Sequence, residues 1–384
     1  MIRLQTRLPE IYTRTTAEEL AARARAAKDG LGDQVVILGH HYQRDDVIAL
    51  ADATGDSFGL SRFAASQRLA RYVVFCGVHF MAESADVLTG DHQAVVLPDL
   101  NAGCSMADMA DLDEVEQIWD ELGRVTDVER VVPVTYMNSS AALKAFVGRH
   151  GGAVCTSSNA RAILTWALGP RDGLVPPRPL GHRGTAGGGG DKVLFFPDQH
   201  LGRNTGFQLG FGATDMAVID PRRPLGGLSE AAVKESTFLL WKGHCSVHQR
   251  FSTSHVDAFR TEHPDGIVIV HPECSHDVVE AADQVGSTDY IISAVAAAPP
   301  GSVVAVGTEI HLVDRLARRH ASDRRVVSLD PVVCPCSTMS RIDLPHLAWV
   351  LEGLAAGEVR NRITVDPVTA AGARIALEKM LEIT

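Results

Sequence analysis

Three cysteines stand in settings unlike a hydrophobic core: Cys104 in NAGCSMAD (101–108), Cys245 in WKGHCSVH (241–248) and Cys336 in CPCSTM (334–339). Small, polar, turn-forming neighbours surround each of them, the composition of a loop. Three thiolates on separated loops are soft ligands that suit a [4Fe–4S] cluster with one iron left without a protein ligand. Such an iron keeps an open position and acts as a Lewis acid on a substrate oxygen. Zinc is the rival metal. A structural zinc site takes four ligands, often from paired C-x₂₋₄-C motifs, whereas this chain offers one CPC and no second pair. Cys76 and Cys155 lie inside apolar strand ends and read as small buried hydrophobes.

Polar residues at the ends of apolar runs form a second set. His271, Pro272 and Glu273 end GIVIVHPE (266–273), which puts an imidazole and a carboxylate side by side. His40 and Tyr42 follow VVILG, and Tyr136 and Asn138 end VVPVTYMN (131–138). Alone, any of these is a core or cap residue; presented at one station in three segments, they form an acid–base set. Ser57, Ser157 and Thr288 lie in the hydroxyl turns TGDS (54–57), CTSS (155–158) and VGST (285–288). Hydroxyls and backbone N–H groups at helix starts suit a carboxylate or phosphate, and plain helix capping is the alternative.

The elements that position these groups recur three times. Each segment runs apolar strand, hydroxyl turn, second apolar strand, cysteine. The second strands are RYVVFCGVHFMAES (71–84), KVLFFPDQHLGRN (192–204) and SVVAVGTEI (302–310). His40 precedes Cys104 by 64 residues and His271 precedes Cys336 by 65, while Tyr136 to Cys245 takes 109 because of extra loops. The unbroken β-branched runs predict buried parallel strands, whose carboxyl ends carry the functional loops in doubly wound sheets. The fold class is therefore α/β, a threefold repeated unit. Its predicted boundaries are 1–108, 109–248 and 249–345, with a helical tail over 346–384. Locally, Thr16 caps a helix that Gly30 stops, and further helices are expected over Val47–Thr54, Leu60–Ala70, 140–150 and 161–168. Residues 169–191, ending in four glycines, interrupt the second segment as a surface insertion.

Composition narrows the classes. A net charge of −11 lacks the basic footprint of a nucleic-acid partner. No apolar run reaches the roughly 18–20 residues that cross a bilayer. The N-terminal stretch has no apolar signal region, and seven cysteines, an odd number, fit reduced thiols better than a disulfide framework. The expected location is the cytoplasm.

GHHYQ, GDS, PDLNAGCSMA, YMNSSAALKA, CTSSNA, FFPDQHLGRN, HPEC and RIDLPHL, in this order from about Gly30 to Glu352, resemble the quinolinate synthase family. The resemblance implies an enzyme of de novo NAD synthesis that condenses iminoaspartate with dihydroxyacetone phosphate to quinolinate, phosphate and water. It implies three αβα, Rossmann-like domains in pseudo-threefold arrangement around one [4Fe–4S] cluster. On its motifs, Cys104, Cys245 and Cys336 fall on cluster ligands, Cys336 rather than Cys334 because it precedes Ser-Thr-Met. His40, Ser57, Tyr136, Asn138, Ser157, His271, Glu273 and Thr288 fall on substrate contacts. Tyr42, Tyr136, His271 and Glu273 are the candidates for proton transfer. An L-aspartate oxidase supplying iminoaspartate is the implied functional partner. Two other readings of the residues are a cluster-dependent hydrolyase of aconitase type and a non-enzymatic iron–sulfur sensor. The first goes with a larger multidomain chain, and the second with a basic face that this chain lacks.

Overall fold

Strong β-formers in unbroken apolar runs make the strands at whose ends, or in the loops and helix starts after them, the candidate residues lie. The computed structural model describes residues 5–169, 188–332 and 335–383. The first four strands are β1 (Val35–His40), β2 (Ala53–Gly55), β3 (Tyr72–Cys76) and β4 (Ala94–Val96). They pair in parallel in the order β4-β3-β1-β2. The second sheet holds β5 (Val131–Tyr136), β6 (Ala153–Cys155), β7 (Lys192–Phe196), β8 (Met216–Ile219) and β9 (Phe238–Trp241), in the order β6-β5-β7-β9-β8. The third holds β10 (Ile267–Val270), β11 (Gln284–Val285), β12 (Val303–Gly307) and β13 (Arg325–Ser328), in the order β11-β10-β12-β13. A late two-residue strand, β14 (Arg362–Ile363), joins β4 antiparallel.

One order therefore recurs: the second strand of each segment flanks the first on one side, and the third flanks it on the other. The winding reverses between first and third strands, and ligands of open α/β sheets bind outside the carboxyl ends at such a reversal. Register makes this concrete, with Val35 opposite Tyr72 through Gly39 opposite Cys76, and Val131 opposite Lys192 through Thr135 opposite Phe196. β1, β3, β5 and β7 are buried along their whole length, as strands covered on both faces must be.

The chain divides into two compact units. The first is Met1–Cys104, Phe259–Val268 and Thr288–Val365; the second is Ser105–Ala258, Ile269–Ser287 and Asp366–Thr384. In the first, helix Leu344–Ala355 packs on helix Ala17–Leu31. Arg23 pins that contact through a fork of 2.7 and 2.8 Å to Glu352. In the second, helix Pro367–Glu382 packs on helix Ala141–Arg149. The helical tail expected from the sequence is thus shared out, one helix to each unit.

Local expectations hold except at ends. Thr16 does cap the first long helix by accepting from Glu19 N, but the stop is Gly32 rather than Gly30. Gly32 has φ +53°, which favours glycine, whereas Gly30 sits inside the helix. The helix expected over Val47–Thr54 is only Asp45–Ile48, because Ala53–Gly55 pairs with β1 instead. The next helix is Ser57–Ser66, three residues earlier than expected at its start, because Asp56 caps it. Within the expected insertion, 170–187 lie outside the described residues, as does Cys334. Among the described residues, no helix is long and apolar enough to cross a membrane.

Candidate functional site

In the second unit, β5, β7 and β9 are parallel neighbours, so the loops that follow them leave from one edge. The β9 loop is set by Gly243, where a Cβ would lie 2.1 Å from Pro197 O; only glycine allows that approach. Gln199 N donates to Gly243 O at 3.1 Å, which fixes the start of the Cys245 loop against the end of β7. Cys245 O then accepts from Gln249 N at 3.0 Å, and Gln249 Nε2 reaches Glu273 O at 3.1 Å. Asn204 clamps the HPEC segment by donating to Pro272 O at 2.8 Å and Cys274 O at 2.9 Å.

Glu273 is the hub of this region, only 3% exposed. Tyr136 donates its hydroxyl to Glu273 Oε1 at 2.5 Å, and His248 Nδ1 lies 2.8 Å from Oε2. His248 and His271 stack at 4.5 Å. Glu273 N donates to His271 Nδ1 at 3.3 Å, which leaves the proton of the neutral ring on Nε2. Burial pushes His271 down to about 3, helped by its histidine neighbour, so the ring is neutral at physiological pH. Burial raises Glu273, but His248, His271 and the Tyr136 hydroxyl outweigh it and hold the carboxyl well below its ordinary range. Asp198 goes the other way, pushed well above the ordinary carboxylate range by burial and by the Glu273 charge. Asn138 follows β5, and its Oδ1 is buried with no hydrogen-bond partner among the described residues. Ser157 lies in the turn after β6, where Asn159 Oδ1 accepts from Thr156 N at 2.8 Å.

In the first unit, His40 ends β1, 4% exposed, and accepts from Tyr42 N on Nδ1 at 3.1 Å. This repeats the His271–Glu273 turn, again leaving Nε2–H as the donor. Tyr42 shares a 2.7 Å hydrogen bond with Thr308 Oγ1 after β12. Two cysteine loops are tied together here. Buried Asp99 accepts from Asn101 N at 2.8 Å on the Cys104 side, and from Arg341 Nε at 2.8 Å on the Cys336 side. Cys336 N donates to Glu309 Oε1 at 3.2 Å. Ser57 and Thr288 are the first residues of helices Ser57–Ser66 and Thr288–Ala297. Asp56, not Ser57, caps the former, with Gly59 N at 2.7 Å from its Oδ1.

The donor set fits a metal. Cys245, His248 and Glu273 each offer one ligand atom, all within 4.8 Å of one another. Cys104, Cys245 and Cys336 are half-buried, whereas Cys76, Cys155 and Cys274 are fully buried. Burial pushes those last three thiols far up, and a thiol that does not ionise is a poor ligand. Sequence reasoning passed over His248, Asp198, Thr308 and Glu309. His248 was legible as Cys-x-x-His; the others sit just past β7 or β12, the third strand of a repeat, where only the fold shows what they face.

A family model described as "Quinolinate synthetase A protein" matches residues 23–183 and 185–382. The chain is 57% identical over 365 residues to a Streptomyces coelicolor protein named quinolinate synthase, covering 94% of this chain and 88% of that one. A Corynebacterium glutamicum protein of the same name is 54% identical over 376 residues, covering 98% and 90%. One from a Geobacillus species is 50% identical over 374 residues, covering 97% and 96%.

Proposed function

The chain belongs to the quinolinate synthase family, and we propose that it condenses iminoaspartate with dihydroxyacetone phosphate to quinolinate, phosphate and water. In this reading Cys104, Cys245 and Cys336 hold one [4Fe–4S] cluster, and three αβα domains in pseudo-threefold arrangement carry them. When bound, the cluster supplies a Lewis-acidic iron. Its iminoaspartate comes from an L-aspartate oxidase, and the enzyme works in the cytoplasm.

The residues have matching chemistry. His40 and His271 each offer an Nε2–H suited to a carboxylate or carbonyl oxygen. The unpartnered Asn138 Oδ1 is an acceptor for an N–H or O–H of the substrate. Ser57, Ser157 and Thr288 bring hydroxyls at or just before helix starts, where backbone N–H groups favour the substrates' anionic ends. Glu273 is ionised, the state a general base needs, and Tyr136 is the hydroxyl already bonded to it. A carboxylate so strongly stabilised is a weak base. Withdrawal of the Tyr136 hydroxyl toward substrate strengthens it, so Tyr136 and Glu273 work as a pair. Tyr42 and His271 serve further proton transfers.

The observation that carries this reading is the buried Tyr136–Glu273–His248 cluster beside Cys245, in a chain of this family. Anaerobic purification with iron and sulfide analysis, then a quinolinate assay with both substrates, tests it. Cluster-free protein, or protein with a cluster that forms no quinolinate, sinks it.

A further inference from the structure

Thr308 and Glu309 follow β12. Thr308 is 2% exposed and Glu309 is fully buried, although both are polar. Buried polar side chains must have their hydrogen bonds satisfied, so their partners reveal what they hold. Thr308 is bonded to the hydroxyl of Tyr42 at 2.7 Å. Glu309 takes three N–H groups: His311 N at 2.8 Å on Oε2, with His311 Nδ1 at 2.9 Å and Cys336 N at 3.2 Å on Oε1.

Helix capping explains only part of this. Glu309 is the N-cap of helix Ile310–Arg319, and His311 N is an ordinary capping donor. Cys336 N–H is 27 residues away in the chain and belongs to another loop. The same helix grips the Tyr42 turn from its other side: Arg315 donates to His41 O at 2.8 Å and to Gln43 O at 2.5 Å. Gln43 Nε2 in turn donates to Met339 O at 3.2 Å, three residues beyond Cys336.

We propose that Thr308 and Glu309 are positioning residues that hold the Tyr42 hydroxyl and the Cys336 loop to one strand end, so that the proton-transfer group and the cluster ligand keep a fixed relation. This rests on the cluster reading above. Backbone N–H groups cannot give up their protons under these conditions, so Glu309 acts as a fixed negative anchor. Ligand-supporting contacts of this kind typically cost about 10–100-fold in metal affinity or activity when removed.

Glu309→Asp separates this role from capping, because aspartate caps helices well and keeps the charge but is one methylene shorter. The expected result is a folded protein that binds iron and sulfide but loses iron to a chelator about tenfold faster than wild type, with an altered electron paramagnetic resonance signal in the reduced state. Glu309→Gln keeps the reach and removes the charge, so iron is retained and the reduction potential rises. Thr308→Val removes only the hydroxyl. Its kcat should fall about 10–100-fold, the scale for a misplaced reacting group, with KM and iron content unchanged and with rescue by Thr308→Ser. An Asp variant with wild-type iron retention and signal reduces Glu309 to a helix cap and overturns the proposal for it. A Val variant with native kcat does the same for Thr308. If wild-type protein itself takes up no cluster, the reading beneath the proposal fails too, and that outcome is visible before any variant is made.

Discussion

Glu273 and Glu309 are both buried carboxylates just past the end of a strand, yet their partners differ in kind. Glu273 is surrounded by side chains that carry movable protons: the Tyr136 hydroxyl, His248 and His271. Glu309 takes two backbone N–H groups, of Cys336 and His311, besides one imidazole. A burial cost is offset in both cases, but in one by groups that exchange protons and in the other mainly by groups that cannot. The contrast teaches that burial and charge alone do not mark a catalytic carboxylate; the chemistry of its donors does. The region around Glu273 is arranged to move a proton, and the region around Glu309 to keep a loop still.

The severest way to break that comparison is through the thiols, since both regions support a cysteine loop. Cys245→Ser, beside Glu273, and Cys336→Ser, beside Glu309, should each abolish the visible iron–sulfur absorbance and the activity, as should Cys104→Ser, because a hard hydroxyl replaces a soft thiolate. Cys76→Ser and Cys155→Ser should keep both. A cluster that survived loss of either Cys245 or Cys336 would show that only one region serves it. Next in size is Glu273→Gln, which keeps the shape but cannot accept a proton. Turnover should fall about 10²-fold or more with iron content intact, as read by single-turnover kinetics and iron analysis. Near-native turnover would leave Glu273 a loop cap and move the base assignment to Tyr42 or His40.

His271→Gln should have a smaller effect that appears in affinity as well as rate. Losing one hydrogen bond to a charged substrate costs roughly 1.5–3 kcal/mol, so titration of substrate binding should show a weakening of about tenfold or more. Unchanged affinity with reduced turnover would make His271 a proton carrier only. The mildest test is Asn204→Leu, which removes the two bonds to Pro272 O and Cys274 O and should lower unfolding stability by about 1–3 kcal/mol. Urea denaturation measures it, with iron content expected to stay near normal. If Glu309→Gln were as destabilising as Asn204→Leu without shifting the reduction potential, the two regions would differ less than their hydrogen bonds say.

The strands were legible because burial on both faces leaves unbroken β-branched runs: Tyr72–Cys76 lies within the apolar run 71–84 that was read as a strand. Short edge strands were not legible. Ala53–Gly55 is too short for any period and looked helical, because its pairing with β1 is a tertiary fact. The turn at Ser57 shows the same limit, since the capping alternative was put on Ser57 and the fold uses Asp56.

By itself, then, the chain determined its repeats, its α/β class and the residue types at each strand end, since these follow from local periodicity and from turn chemistry near each cysteine. Its half-buried cysteines were also separable from the buried Cys76 and Cys155, because neighbours in sequence set a loop apart from a strand, though they did not mark the buried Cys274. Tertiary structure alone decided which side chains meet. Tyr136 and Glu273 are 137 residues apart, Tyr42 and Thr308 are 266 apart, and no local pattern encodes a contact at such separations. It also shaped protonation: burial and the His248 neighbour hold His271 below the ordinary imidazole range, and His248, His271 and the Tyr136 hydroxyl keep Glu273 ionised against its burial.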